Sequence, residues 1–326
     1  MSIYIDLAEI CGATVLLKVH FEYVINSNVL SNGINMNTRC LIFLLLLAIV
    51  PGLATGQGDP SQELVNRNIV EDFYQQAYAE RNAQAMVQYL APGFIQHHPA
   101  IADGITGMAA YVNGMRLQGP ESRREIKRVL TDGDYVIVQG HLTNGPNDPG
   151  AVTGDIFRLD NGLIAEQWGI IHPITPSPDP ENLNDVFGDN SAPYPTPTST
   201  AQERRNLALA TGFYHVALNE KDWEKAEQYM GEYYQQHSVY MADGRTAFKG
   251  LVERIQREFP NNLGLVKQSF ADGDMVVLNL EVSRDKGGLT YNVIELMRLE
   301  NDKVVEHWDI FQPLTDVQPL HDNGLW

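Results

Sequence analysis

The chain has 326 residues, of which 44% are hydrophobic and 20% charged, a composition typical of globular proteins and enough sequence for two ordinary domains. Its formal net charge is -18 at pH 7, and no Lys/Arg cluster offsets this acidic field. The charge therefore argues against nucleic acid and anionic membrane surfaces as partners.

The N-terminal part contains a pattern typical of a secretory signal peptide. Residues 36–58 contain Met36 and Arg39, then an apolar run up to Val50, and then small residues. This run is shorter than the roughly 20 apolar residues that span a bilayer, and its Ala/Gly-rich end favours cleavage over a signal anchor. We expect a secreted or extracytoplasmic protein.

Residues 1–35 are either an extension of this leader or the product of an upstream start, and we favour the upstream start. Both cysteines, Cys11 and Cys40, precede the expected cleavage near 54–58. The mature chain is therefore expected to have neither a thiol nor a disulfide.

The sequence repeats itself at a constant offset of 140 residues. When 65–175 is placed over 205–315 without a gap, 28 of 111 positions are identical, including the strings QH, ADG and DGD in the same order. We predict two tandem domains of one fold. The expected bounds are 59–175 for the first domain, 176–199 for a Pro-rich linker and 200–326 for the second domain. Within the linker, NLNDVF is a candidate terminal arm of the first domain, since HDNGLW has a similar place after the second.

Each copy is predicted to begin with two helices. In the first copy Asp59 and Pro60 are the start signals, and in the second the string TAQE from Thr200 predicts a capping box. Apolar side chains then recur at helical spacing, so that one stripe of each first helix faces a core. Asp222 is the expected cap of the second helix in the second copy.

Strands follow each DGD turn. The strings YVIVQGHL and MVVLNLEV alternate in the manner of half-buried strands, and the last two strands of each copy are joined by DNG or ENDK, which predicts a hairpin. Helices followed by an antiparallel meander indicate an α+β fold. We expect two tandem cone-shaped domains, each a curled antiparallel sheet packed on N-terminal helices.

Polar residues that point into such a cone are the candidates for chemistry. His307 and Asp309 are two apart on one strand and share a face, while Trp308 takes the other. Whether Glu295 joins them depends on the hairpin register, because a shift of one residue reverses its face. Burial would raise the pKa of Asp309 and let it take a proton from carbon next to a carbonyl. The alternative is that His307 and Asp309 are solvated structural residues. The candidates in the second copy are Tyr214, Tyr234, His237, Glu295, His307 and Asp309.

The histidines of the first copy do not form a metal motif. His97, His98, His141 and His172 are separated by 1, 43 and 31 positions, and these spacings match no compact ligand set. We expect no metal ion. The sequence also lacks a phosphate-binding loop, a serine-hydrolase elbow and a zinc-protease motif.

Four strings resemble the SnoaL-like polyketide cyclase family, part of the nuclear-transport-factor-2-like superfamily that also includes ketosteroid isomerase. They are FIQHHPAIADG, REIKRVLTDGDYVIVQGHL and DIFRLDNGLIAEQWGIIHP in the first copy and VVEHWDIFQP in the second. The resemblance spans about 65–190 and 205–326 and implies a cone-like domain with a pocket for an apolar small molecule. In the cyclases an Asp after the Trp of the last strand is the general acid/base, and no cofactor or metal is used.

Residue by residue, the resemblance implies that Asp309 is the acid/base of the second copy and Glu295 its partner, and we expect His307 and His237 to assist. The first copy has Gly169 and Asp155 at the two matching positions and so lacks the base. The cyclase partner is a His, so the reaction type stays open among aldol, isomerase and dehydratase chemistry. The expected pocket residues are Tyr214, Tyr234, Trp308, Tyr74, His97, His141, Asp155 and Trp168.

Two other interpretations remain open at this point. The protein could be a secreted small-molecule binding protein without turnover, or a structural pseudo-dimer in which the two repeats pair through their sheets.

Overall fold

A computed structural model of the chain describes residues 59–119, 121–175, 182–188, 193–238, 241–284, 290–314 and 318–326. The expected signal peptide and the segment before it lie outside these residues. In the part of the chain that is described, no helix is long and apolar enough to cross a membrane.

The first domain begins with helices and continues into a five-stranded sheet. Helix α1, Pro60–Tyr74, runs on into a π-helical turn at Gln75–Ala79. The elements that follow are helix α2 (Ala83–Met86), a 3-10 turn (Val87–Tyr89), strand β1 (Leu90–Gln96), helix α3 (Gly104–Gln118), and strands β2 (Arg123–Asp132), β3 (Tyr135–Thr143), β4 (Ala151–Asp160) and β5 (Leu163–Pro173).

The second domain repeats this order element by element, so the predicted tandem α+β architecture is confirmed. Its elements are helix α4 (Thr200–Tyr214), a π-helical turn (His215–Glu220), helix α5 (Trp223–Ala226), a 3-10 turn (Glu227–Tyr229), strand β6 (Met230–Gln236), helix α6 (Gly244–Glu258), and strands β7 (Leu263–Asp272), β8 (Met275–Ser283), β9 (Thr290–Glu300) and β10 (Lys303–Pro313).

The strand order is β1-β5-β4-β3-β2 in one sheet and β6-β10-β9-β8-β7 in the other. The meander is antiparallel as predicted, but the edge strands β1 and β6 run parallel to the last strand of each domain. The sequence does not predict these edge strands, because LAPGFIQ and MGEYYQQ lack a regular alternation of β-branched residues. Helices α3 and α6, between the edge strand and the meander, are likewise not among the predicted elements.

Side-chain caps start the helices close to the predicted places. Asp59 accepts a hydrogen bond from the Ser61 amide at the start of α1, and Asp222 caps α5. At α4 the cap is Ser199, which accepts from the Gln202 amide, so the predicted capping box at Thr200 is one residue off. The Thr200 position lies inside the first turn instead, because the hydroxyl that precedes it already satisfies the free amides.

Each domain has its own apolar core between its helices and the inner face of its sheet, the face that packs on the helices. A third cluster lies between the outer faces of the two sheets and contains residues of both domains, among them Trp168 and Ile170 of β5 and Trp308 and Ile310 of β10. Side chains alternate along a strand, so the residues that face this cluster cannot face the helices. The two repeats therefore pack on each other through their sheets.

Two short segments cross between the domains. The first arm, 182–188, follows β5 and contacts the second domain, where the side chain of Asn184 donates to the Gln236 carbonyl (2.9 Å). The second arm, 318–326, follows β10 and contacts the first domain, where the side chain of Asn323 donates to the Gln96 carbonyl (3.0 Å). The exchange is reciprocal, and each arm meets the Gln-His pair at the end of the other domain's edge strand.

Candidate active site

The hairpin register of the second domain brings three ionisable side chains together. Asp309 of β10 is the direct partner of Glu295 on β9, so both point to the same face of the sheet. The Nε2 atom of His307, two residues before Asp309, lies 2.5 Å from the Glu295 carboxylate. This face is the inner one, because the His307 ring contacts Phe248 and Tyr234 of the second core. The register that the sequence leaves open thus places Glu295, His307 and Asp309 in one cluster.

His307 is held at both ring nitrogens. Its Nδ1 atom lies 3.0 Å from the Tyr234 hydroxyl and 3.1 Å from the side-chain amide of Gln236, which donates to it. With Nδ1 accepting from Gln236, the neutral ring carries its proton on Nε2 and donates it to Glu295. Burial alone would lower the pKa of His307, but the Glu295 carboxylate outweighs it and raises that pKa.

Asp309 is the least satisfied member of the cluster. Its Oδ1 atom is buried and has no hydrogen-bond partner among the described residues. Burial, and then the nearby Glu295 charge, raise the pKa of Asp309 to about 6, while His307 and a hydrogen bond with Ser238 act in the opposite direction. At neutral pH the group is therefore an ionised carboxylate that is more basic than an ordinary aspartate.

Apolar and aromatic side chains surround this cluster. Tyr214 is buried in the second core, and burial raises its pKa. The ring of Tyr234 packs on Phe248 with 5.5 Å between centroids. Tyr234 also lines a surface groove of about 720 Å³. Charged residues line this groove as well as Trp223 and Tyr233, so it is more polar than the apolar pocket expected from the sequence.

In the first domain Asp155, the counterpart of Glu295, forms a buried ion pair with Arg124. Asp155 of β4 accepts from the Tyr74 hydroxyl (2.5 Å), from Gln167 (3.1 Å) and from the Arg124 guanidinium (3.2 Å), and all four side chains are buried. The Arg124 group also lies over the Tyr78 ring at 4.1 Å. Both carboxylate oxygens of Asp155 are thus bound to donors, so this side chain has no free oxygen to act as a base.

The pair formed by His98 and Gly169 replaces the pair formed by Ser238 and Asp309. His98 is buried, its Nδ1 accepts from the Ala100 amide, and burial lowers its pKa to about 4, so it is neutral. A Cβ atom on Gly169 would lie 2.9 Å from an oxygen of Asp155 and 3.3 Å from the His98 ring. The imidazole and Asp155 therefore occupy the space that an aspartate at 169 would need.

We expect Gly169→Asp to destabilise the protein instead of restoring a second site, by about 1–3 kcal/mol for overpacking and more for the charge that would face Asp155. Chemical denaturation would measure the loss. The double variant His98→Ser with Gly169→Asp has the residues of the second domain at these two positions and should recover part of the stability. A Gly169→Asp protein as stable as the parent would contradict this account.

Four of the expected pocket residues, and the catalytic candidate His237, lie outside the cone interior. Trp168 and Trp308 are in the cluster between the sheets, and His97 and His237 stack on them with ring centroids 4.5 and 4.6 Å apart. His141 contacts Phe187 of the first arm and bonds the Pro149 carbonyl. The structure therefore corrects the expectation that these residues line the cone interior. Side chains alternate along a strand, so each tryptophan points to the outer face of its sheet while the residues before and after it point to the inner face.

The remaining histidines do not gather into a site. His172 lies between the domains, where it forms a hydrogen bond with the backbone of Asp309. Across the described ranges, no group of three or more His, Cys, Asp or Glu is arranged to hold a metal ion. The site residues absent from the sequence prediction are Arg124, Gln167, Gln236 and Ser238. Arg124 differs from its repeat counterpart Gly264, and Ser238 from His98, so a comparison of the two copies could have pointed to both.

Both halves of the chain match known domain families. Residues 70–167 match the SnoaL-like domain, and residues 208–319 match the SnoaL-like polyketide cyclase family. No curated protein matches the chain.

Solved structures of single domains are also similar. A nuclear-transport-factor-2-like protein of unknown function from Mesorhizobium loti is 14% identical and covers 34% of this chain and 93% of its own (TM-score 0.30). A proposed polyketide cyclase from Bacillus cereus is 19% identical and covers 39% and 92% (TM-score 0.33). A proposed ketosteroid isomerase from Kribbella flavida is 17% identical and covers 34% and 80% (TM-score 0.30).

Proposed function

Because the chain consists of two SnoaL-like domains in tandem, we propose that the second domain binds a small carbonyl compound and moves a proton at the carbon next to its carbonyl group, with Asp309 as the base. The ionised carboxylate takes the proton, and the electron pair of the broken C–H bond moves towards the carbonyl oxygen to give an enolate. Aldol, isomerase and dehydratase reactions can share this first step, so the proposal covers all three.

The observation that carries the proposal is the state of Asp309. One of its carboxylate oxygens is buried and has no hydrogen-bond donor among the described residues, and the pKa of the group is raised to about 6. Such a carboxylate can accept a proton from a substrate. Glu295 and His307 lie on the same face and tune its charge. Asp309 itself is not fully buried.

We assign the first domain a non-catalytic role. Its Asp155 is paired with Arg124 and accepts hydrogen bonds from two further donors, and Gly169 offers no side chain at the position of Asp309. Binding without turnover remains the second candidate function of the protein.

The test measures the exchange of the substrate hydrogen next to the carbonyl group with solvent deuterium. The protein is incubated in D₂O with a panel of small ketones, chosen by thermal shift, and NMR follows the loss of the signal from the hydrogen next to the carbonyl. Only the ionised form of Asp309 can accept a proton, so the exchange rate should rise with pH through about 6 and level off above it. A rate that is flat from pH 4.5 to 8, or that falls across this range, would remove Asp309 from the role of base.

We also propose that the protein is exported, on the strength of the leader pattern at 36–58. Expression of the full chain in a secreting host, followed by N-terminal sequencing of the product, tests this. Recovery in the medium with a new N-terminus at 54–58 is the expected result, and full-length protein inside the cell would contradict it.

A further inference from the structure

The first arm holds one segment of the second domain chiefly through the side chain of Asn182. The Asn182 amide nitrogen donates to the carbonyl oxygens of Met241 (2.6 Å), Ser238 (3.0 Å) and Gln236 (3.3 Å). Asn184 adds its own bond to the Gln236 carbonyl, and its backbone amide donates to the Asn182 side chain (3.0 Å). Asn182 is itself buried, so this contact is fixed on both sides.

The segment that the arm holds carries the neighbours of the proposed base. The Gln236 side chain donates to His307 (3.1 Å), and its oxygen accepts from the Ser238 amide (3.2 Å). The Ser238 side chain forms a hydrogen bond with Asp309. Gln236 and Ser238, two of the three residues whose carbonyls Asn182 holds, therefore each contact one ionisable member of the cluster.

Two further contacts from outside the second domain involve the segment 236–238 and Asp309. The Asp185 carbonyl of the arm lies 2.6 Å from Nδ1 of His237, the residue between Gln236 and Ser238. His172, at the end of β5, bonds the backbone of Asp309 from the other side. The segment 236–238 and the base are thus both fixed by residues outside the second domain.

We propose that the first domain completes the active site of the second, with Asn182 as a positioning residue that sets Ser238 against Asp309. This inference rests on the proposed role of Asp309, and it explains why a copy without a base of its own is part of the chain. Asn182 touches no reacting atom and acts only through the segment 236–238.

The opposite arm provides a matched contrast. Asn323 donates to the Gln96 carbonyl, and the Gly324 carbonyl lies 3.2 Å from Nδ1 of His97, which repeats the contacts of Asn184 and Asp185. The segment held there carries the neutral His98 beside Gly169 in place of Ser238 beside Asp309. The same contact exists twice, but only the first arm's contact lies next to a carboxylate with an oxygen that lacks a donor among the described residues.

The experiment is an NMR titration of Asp309 in the full chain labelled with ¹³C at the aspartate carboxyl groups, with Asp309→Asn used to assign the signal. In Asn182→Ala we expect the midpoint to rise by about one pH unit, because a hydroxyl that donates to the ionised carboxylate lowers its pKa and is no longer held in place. Asn323→Ala is the control and should leave the midpoint unchanged. In a Ser238→Ala background, adding Asn182→Ala should produce no further shift, since the path through Ser238 is already gone.

A midpoint that Asn182→Ala leaves unchanged, or a shift that persists in full without the Ser238 hydroxyl, would overturn the inference. If Asn182→Ala does not fold, Asn184→Ala removes one bond to the Gln236 carbonyl and one from the Gln235 side chain, and it should give a smaller rise. No rise would count against the arm. A wild-type midpoint near 4 would instead reject the proposed function of Asp309, whereas the difference between variant and parent would still test the arm.

Discussion

Replacing Asp309 with asparagine should slow the exchange of the substrate proton by about 10²–10⁴-fold, the range that a positioned general base contributes. Asparagine has the same shape and can still accept the hydrogen bond from Ser238, but it cannot take a proton at any ordinary pH. The pH dependence expected from the group with a pKa of about 6 should disappear with it.

Binding and folding provide the controls for this variant. Ligand affinity, measured by titration calorimetry, should stay within a few-fold, because the change is nearly isosteric. The raised pKa means that ionised Asp309 costs folding free energy, and this cost appears as the pH rises through about 6. The asparagine protein should therefore be at least as stable as the parent at pH 8. An exchange rate equal to that of the parent would assign the base to another residue.

Replacing Arg124 with alanine should lower the free energy of unfolding by about 3–5 kcal/mol, the cost of removing one member of a buried ion pair. Both side chains are almost fully buried, and the guanidinium is the positive partner of Asp155. Without it, the carboxylate keeps the Tyr74 hydroxyl and the Gln167 amide but no counter-charge in an apolar core.

Urea denaturation at pH 7 measures this loss, and the neighbouring Arg123 is the matched control. Arg123 is exposed on the other face of β2, and its change to alanine should cost less than about 0.5 kcal/mol. The double variant Arg124→Ala with Asp155→Ala should be more stable than Arg124→Ala alone, since it no longer buries an uncompensated charge. A single variant that loses no more than Arg123→Ala would mean that the pair does not stabilise the domain.

The repeat and the period-two segments are enough to predict the fold class, because duplication shows the same pattern twice and the DGD turns mark where the strands begin. The edge strands are different. A short strand that contains Pro92 and Gly93, as β1 does, has no signal of its own and is defined only by its parallel partner β5.

The relation between Glu295 and Asp309 could not be read from spacing alone. The two strands of the hairpin change register between Val304 and Glu306, so that one extra residue is inserted into β10. Such a bulge reverses the faces of all residues on one side of it, and alternation counted from the turn would give the wrong side. The pairing of β9 with β10 decides the question, and no local sequence pattern encodes it.

The position of the second arm at the end of the chain has a consequence for folding during synthesis. His97 leaves the ribosome 227 residues before Gly324, the residue whose carbonyl faces it in the finished structure. At a synthesis rate of about 5–20 residues per second, the end of β1 waits roughly 10–45 s for its covering segment. During that interval the polar backbone groups at the end of β1 are open to contacts with other nascent chains. A chaperone that binds the first domain before translation ends would protect this edge.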